Sequence, residues 1–254
     1  MVIKIIRVLD RLVDIFVLCV CALMICIGVY SFYDDLYVYE TAQDKSVLAY
    51  KPDLKKTLAD MKAEAEEEAM LAGSQSRTVV LDKQVAWLYV EDTPIDFPVL
   101  QGEDNYEFLN KSAKGEFSLG GAIFLDYRND PLFRDEYSLI YGHHMEYGVM
   151  FGSLDSFEGK DYFSTHRHGT IVTEDAVYDY TLFAVVDGEG DDHVLFQPHR
   201  HTAAEVIERL RGSSVVFYEP EEECRIVAMS TCSDDSYMSR LLVFGTIKES
   251  TGQE

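Results

Sequence analysis

The sequence predicts a mainly β domain, a closed or nearly closed barrel with inserted helices, carried behind an N-terminal transmembrane helix and a juxtamembrane helix. Three observations predict it. Residues 12–33 form a single long apolar run. From Arg77 onward, short segments rich in β-branched and aromatic residues alternate with turn residues. One strong helix signature, at 202–211, interrupts those segments.

The apolar run reads LVDIFVLCVCALMICIGVYSFY and carries one charge, Asp14, near its edge. About 20 helical residues at ~1.5 Å each match the ~30 Å hydrocarbon core of a bilayer. Lys4, Arg7 and Arg11 precede it, and Asp34 and Asp35 follow it. The excess of basic residues on the N-terminal side predicts a cytoplasmic tail over 1–11 and an extracellular remainder. A cleaved signal peptide is the rival reading. Its apolar region would be shorter, about 7–15 residues, and would end in small residues where this run ends in bulky aromatics.

Residues 34–76 read as a juxtamembrane helical linker. Within it, KPDLKKTLADMKAEAEEEAMLA (51–72) is rich in helix formers. Leu54, Leu58, Met61 and Ala65 make one modest apolar stripe, and a solvated spacer is the alternative. Gly73 to Ser76 break it, and the domain proper is expected over 77–250. There the segments VAWLYVED, IDFPVL, GAIFLDY, YSLIYGHH, GTIVTED, YDYTLFAVVD, SVVFY, CRIVAMSTC and LLVFGTIKE read as strands, and their spacing suggests an antiparallel barrel. The inserted helix opens on a capping box, Thr202-Ala203-Ala204-Glu205. It shows an apolar face at Val206, Ile207 and Leu210 and stops at Gly212.

The net charge of −23 over 254 residues argues against nucleic acid as a partner, because phosphate binding needs clustered Lys and Arg. It argues equally against broad contact with an anionic membrane surface. Of five cysteines, at 19, 21, 26, 224 and 232, three lie in the apolar run. Cys224 and Cys232 share one candidate strand, which sets them roughly 26 Å apart at ~3.3 Å per residue. A disulfide needs Cα atoms within about 7 Å. No disulfide framework is expected; Cys224 reads as a buried strand residue, and Cys232 needs a separate explanation.

Cys232 ends a strand and precedes the polar stretch SDDSYMS, a position where a scaffold can present a reactive group. His143 and His144 lie at another strand end, and an imidazole near a thiol can serve as acid or base. Arg240 follows Cys232 at the start of the next strand. If the intervening loop folds back, its guanidinium favours the thiolate and can donate to an oxyanion. The histidines match no closed zinc site, and the acidic loop 187–193 lacks the spacing of an EF-hand; no metal or cofactor is expected.

Ser230-Thr231-Cys232 followed by Arg240, with Gly142-His143 upstream at a strand end, resembles the sortase family. Members carry a TLxTC-type strand end, a Gly-His histidine and an arginine on the following strand. Within the family the resemblance is to class B: Ile140-Tyr141-Gly142-His143-His144-Met145 with Met150-Phe151, the stretch FPVLQGEDNYEFLNKSAKGEFSLGGAIFLDYRN, and a helix ahead of the cysteine strand. The likeness covers 77–248. Ala228 stands where the family usually has Thr, and Met229 replaces Leu; both suit a strand.

The resemblance implies a cysteine transpeptidase anchored in the cell membrane of a Gram-positive type envelope, with no cofactor. Cys232 would attack the Thr carbonyl of an NPxTN- or LPxTG-like sorting motif in a secreted protein. Arg240 and a backbone N–H near Ser233 would hold the oxyanion. His143 would protonate the leaving amine and then activate the incoming one, a peptidoglycan precursor amine or a pilin lysine. Asn105, Leu109, Ser230, Thr231, Ser233 and His144 are the implied substrate-binding residues. The residues themselves leave Asp104 or Asn105 as a helix cap and Leu109 as core. Rival functions are a cysteine hydrolase without amine transfer and a non-enzymatic surface-binding domain.

Overall fold

In the computed structural model, residues 2–53, 57, 81–221, 223–232 and 239–250 are described, the side chains of 2–10 and 232 excepted. The chain divides into two compact units, Met1–Thr41 and Ala42–Glu254.

The first unit is nearly all of helix α1, Val2–Ala42. Among the described residues it is the one helix long and apolar enough to cross a membrane. Its apolar side chains are exposed around the whole circumference, from Leu12 and Phe16 to Tyr30 and Tyr33, as on a helix with no protein face to hide. It runs past the apolar run of 12–33 at both ends, because no Gly or Pro punctuates the flanks and a helix need not stop at the hydrocarbon boundary. The expected juxtamembrane helix and the break at 73–76 lie outside the described residues, apart from 51–53 and Thr57. The described part of the linker is the end of α1, to Ala42, and then a 3₁₀ turn at Lys45–Tyr50, capped by Asp44, whose carboxylate accepts from the Ser46 amide.

The second unit is built on nine strands: β1 Gln84–Val90, β2 Asp96–Leu100, β3 Phe124–Leu125, β4 Tyr137–Tyr141, β5 His168–Thr173, β6 Val177–Glu189, β7 Val216–Phe217, β8 Arg225–Cys232 and β9 Ser239–Glu249. Each falls within or across one of the nine segments that read as strands. They order as β5-β1-β2-β3-β4-β8-β9-β6-β7, and an added β5–β6 pairing closes the first eight into a barrel. β7 is a two-residue appendage on β6. The barrel is not wholly antiparallel, as the strand spacing suggested: β2 pairs with β3 and β4 pairs with β8 in parallel. These pairings join strands distant in sequence, which local periodicity does not encode.

Two helices lie against the barrel, α2 at Lys160–Thr165 and α3 at Ala203–Arg211. The capping box of α3 forms as expected, Thr202 accepting from the Glu205 amide and Glu205 from the Thr202 amide. Ala203, Val206, Ile207 and Leu210 bury its apolar stripe against Tyr137, Leu139, Ile226 and Ala228. Full burial of a side chain such as Val206 or Leu210 stabilises by roughly 1.5–3 kcal/mol. No local signal announces α2 or the 3₁₀ segment Phe151–Glu158 before it. Cys224 departs from expectation as well. It sits one residue ahead of β8 and is half-buried, and this burial raises its thiol pKa.

A candidate active site at the β4–β8–β9 rim

Strand direction decides what meets at this rim. β4 and β8 run in parallel from Tyr137↔Ile226 to Tyr141↔Ser230, so both end on the same edge. The Gly142 amide extends the ladder by donating to the Ser230 carbonyl (3.1 Å). β9 runs back from that edge, and its Arg240 pairs with Cys232. Gly142-His143, Ser230-Thr231-Cys232 and Arg240 therefore share one end of three adjacent strands. Arg240 donates to its neighbour's carbonyl, Ser239 O (2.8 Å). Ser233 lies outside the described residues.

The chain can turn at Gly142 only because no side chain is there. A Cβ would stand 2.5 Å from Ile123 Cδ1 and 2.6 Å from the Phe151 ring. His143 Nε2 meets the Leu109 carbonyl at 2.8 Å. A carbonyl only accepts, so Nε2 carries hydrogen and Nδ1 is the nitrogen left for proton exchange. Gly121, at φ +61°, lies beneath. A Cβ on it would come within 2.7 Å of the Leu109 oxygen and 3.0 Å of His143 Cδ2.

His144 points elsewhere: its Nε2 meets the Asp155 carboxylate at 2.8 Å. The loop between is pinned by a bridge from His144 to Met150 and by the Phe151 amide donating to His143 O. Met150 is buried at φ 52°, ψ −131°, a conformation side chains rarely adopt. A Cβ on Gly152 would fall on the Met145 carbonyl oxygen, so this turn too requires glycine.

Ser230 and Thr231 are buried, and among the described residues their hydroxyls find no hydrogen-bond partner. Such groups cost free energy and call for an explanation. On the 101–110 segment, Leu109 reaches this edge through its carbonyl on His143, and Asn105 is tied to the end of β4 through Asp126, which also binds Tyr141. Asp104, and not Asn105, caps the turn there, accepting from the Tyr106 and Glu107 amides. Leu109 is half-buried against Leu100, Phe108, Ala122 and Phe124. Asn105 donates to Asp126 Oδ2 (2.9 Å) and accepts from the Tyr127 amide (3.0 Å).

Sequence reasoning misses Asp126, and it misses Tyr141 as a side chain. Asp126 is fully buried. Its carboxylate takes Arg128 Nε and Nη2 at 2.8 and 2.7 Å and the Tyr141 hydroxyl at 3.1 Å. Burial pushes its pKa up, but the bonds from Arg128 and Asn105 outweigh burial, and the net shift is down. Burial and the Asp126 charge raise the Tyr141 phenol pKa. The available signal was the acidic residue inside the apolar segment GAIFLDY, one position past β3, where a buried charge is costly unless paired. In the acidic loop, Asp192 accepts from the Val194 amide and is ion-paired with Arg209 at 2.7 Å.

A closed barrel with a cysteine, a glycine-histidine turn and an arginine on neighbouring strand ends is the architecture of a cysteine acyl-transfer enzyme, and comparison with known proteins agrees. The model of the Sortase domain matches residues 88–248, more than half of the chain, which therefore belongs to the sortase family of cysteine transpeptidases. Sortase B of Listeria monocytogenes is 31% identical over 169 residues, 64% of this chain and 69% of that protein. Among solved structures, a Streptococcus pyogenes class B sortase involved in pilus biogenesis is 40% identical with a TM-score of 0.61, covering 66% of this chain and 93% of that one. A Staphylococcus aureus sortase B–substrate complex shares the fold at a TM-score of 0.63 and 20% identity, covering 78% of this chain and 95% of that one. The relatives are class B sortases, as the histidine region and inserted helix implied.

Proposed function

We propose that the protein is a membrane-anchored class B transpeptidase that cleaves a C-terminal sorting motif, NPxTN- or LPxTG-like, in secreted proteins. The Cys232 thiolate attacks the Thr carbonyl, and the S–C bond forms as electrons move onto the carbonyl oxygen. Arg240 and a backbone N–H near Ser233 hold that oxyanion. The tetrahedral adduct collapses with loss of the C-terminal amine, which takes its proton from His143 and leaves a thioester on Cys232. An incoming amine gives a proton to His143, attacks the thioester and frees the thiolate. Asn105, Leu109, Ser230 and Thr231 line the path of the peptide, while His144, whose Nε2 is held by Asp155, supports the turn that carries His143.

The observation that carries this reading is the strand arrangement: parallel β4 and β8 and returning β9 bring Gly142-His143, Cys232 and Arg240 to one edge. The acceptor is an amine of a peptidoglycan precursor or a pilin lysine, and the role of the S. pyogenes relative in pilus biogenesis supports the pilin arm. In this reading residues 1–11 are cytoplasmic, 12–33 span the membrane, 34–76 link, and 77–250 act outside the cell. The basic residues before the span and the acidic pair after it support that orientation.

The test is intact-mass spectrometry of the detergent-solubilised chain with NPxTN- and LPxTG-type peptides, with and without an added amine. An acyl adduct on the wild type and none on Cys232→Ala, with peptide passing to the amine, is the expected result. An adduct released only to water would replace transfer by hydrolysis. Absence of any adduct would remove the proposal.

A further inference from the structure

Asn105 is a half-buried carboxamide whose orientation is forced. Its partner on one side, Asp126 Oδ2, only accepts, and its partner on the other, the Tyr127 amide, only donates. Nδ2 must face Asp126 and Oδ1 must face Tyr127. One Nδ2 hydrogen then remains, so Asn105 has a donor left to offer to a bound peptide. Tyr141 is fixed by the same oxygen. Its hydroxyl proton is committed to Asp126, and its oxygen, which also faces the Arg128 guanidinium, acts as an acceptor. Tyr141 is also the last residue of β4, one before the Gly142-His143 turn. The carboxylate is itself locked by Arg128, which donates to both of its oxygens and onward to the Phe196 carbonyl (2.9 Å).

From this arrangement we infer that Asp126 is a positioning residue for the substrate wall: through one buried carboxylate oxygen it sets Asn105 as a donor and Tyr141 as an acceptor toward the bound peptide. The inference rests on the reading of Asn105 as a wall residue. It assigns to the groove a peptide stretch that offers a carbonyl to Asn105 and a donor to Tyr141, which a backbone amide unit satisfies. Asp126 touches no reacting atom. Its effect reaches the peptide only through its two neighbours.

Replacing Asp126 by Asn tests this, because every group around the carboxylate is a donor: Arg128, Asn105, Tyr141 and the Arg128 amide. The introduced carboxamide nitrogen would meet a donor wherever it pointed, and Asn105 would keep the Tyr127 amide but lose the fixed acceptor that holds its Nδ2. The measurement is KM and kcat for the cleaved peptide with the full chain, in wild type, Asp126→Asn, Asn105→Ala and the double variant. Asp126→Asn is expected to raise KM about tenfold, the upper scale of the neutral hydrogen bond between Asn105 and the peptide that it misplaces, with kcat within about twofold, a pattern that reports binding and not chemistry. In the Asn105→Ala background the same change should raise KM less than about threefold, since residues acting as a unit are not additive.

Equal effects in the two backgrounds would overturn the inference, as would a loss of kcat that follows the unfolded fraction. If Asp126→Asn does not yield folded protein, Tyr141→Phe and Asn105→Ala carry the same cycle at the rim of the cluster. Additive KM effects there would overturn the inference too. A wild type that cleaves no peptide would remove the proposed function and this inference together; an active wild type with additive variants would remove this inference alone.

Discussion

The backbone amide of Gly142 donates to the carbonyl of Ser230 over 3.1 Å, carrying the parallel β4–β8 ladder one step beyond Tyr141. That bond sets the residue before His143 beside the residue two before Cys232. It forms only if the chain passes close to Phe151, which admits no side chain at 142. Gly142→Ala is therefore expected to cost about 1–3 kcal/mol, as overpacking of a filled core does. Ile123 can yield at its terminal methyl, but the Phe151 ring is buried and cannot. Urea denaturation of wild type and variant checks it, and equal midpoints would show that the turn relaxes freely.

Gly121 tests the position of the histidine more directly. At φ +61° a side chain is strained by ~1–2 kcal/mol, and its Cβ would press on the Phe108 and Leu109 carbonyls and on the His143 ring. Gly121→Ala should thus lower kcat/KM by about tenfold or more, since small misplacements at a reacting centre are costly, and the His143 ring signals in an NMR spectrum should move. Unshifted ring signals with full activity would show that the Leu109 carbonyl does not hold the imidazole in place.

Much of this was legible from the chain. Nine β-rich segments became nine strands, and Thr202 with Glu205 marked the start of α3 because caps and periodicity are local signals. Gly142-His143, Cys232 and Arg240 were legible as a set through family resemblance, while the reason for Gly142 was not, because it lies in the Phe151 ring nine residues on. The parallel β4–β8 pairing joins segments far apart in sequence, and no alternation within either segment tells its partner's direction. Asp126 was hidden for a similar reason. Its three side-chain partners come from the 101–110 segment, the end of β4 and its own turn, and only the folded chain gathers them. Asp104 took the capping role that Asn105 shared on paper, which left Asn105 for Asp126.

The compact unit that holds the site begins at Ala42, well ahead of Arg77. Lys51 reaches Asp96 at 2.7 Å and lies over the Tyr89 ring at 4.3 Å, and Asp96 also takes the Trp87 indole N–H at 2.7 Å. Lys114 pairs with Asp44 at 2.8 Å. Exposed pairs each contribute only a little, so a chain cut to start at 77 should melt slightly below one cut to start at 42, by a few degrees at most for a domain of this size. Half-molar salt should narrow the gap by screening these ions. Equal melting temperatures in low salt would mean that the 42–51 segment adds nothing to the fold.

Acid should loosen the segment that carries Asn105 and Leu109. Glu107 lies between them and takes Lys83 at 2.8 Å and Lys111 at 3.2 Å. The Lys83 ammonium is the main cause that holds its carboxyl down from the ordinary 4.5 to about 2. A depressed folded-state pKa means that the folded protein binds the proton less readily than the unfolded chain does. The stabilisation is therefore present in full above about 4.5 and is lost as pH falls toward about 2. Glu107→Gln has no such carboxylate to protonate. The stability difference between wild type and Glu107→Gln should be constant from pH 7 to 5 and should shrink between pH 4.5 and 2, read by chemical denaturation at each pH. A difference that stays unchanged down to pH 2.5 would show that the ion pairs with Lys83 and Lys111 do not hold this turn. Wild-type KM should rise over the same range as the turn frees Asn105, with Glu107→Gln showing the raised value already at neutral pH.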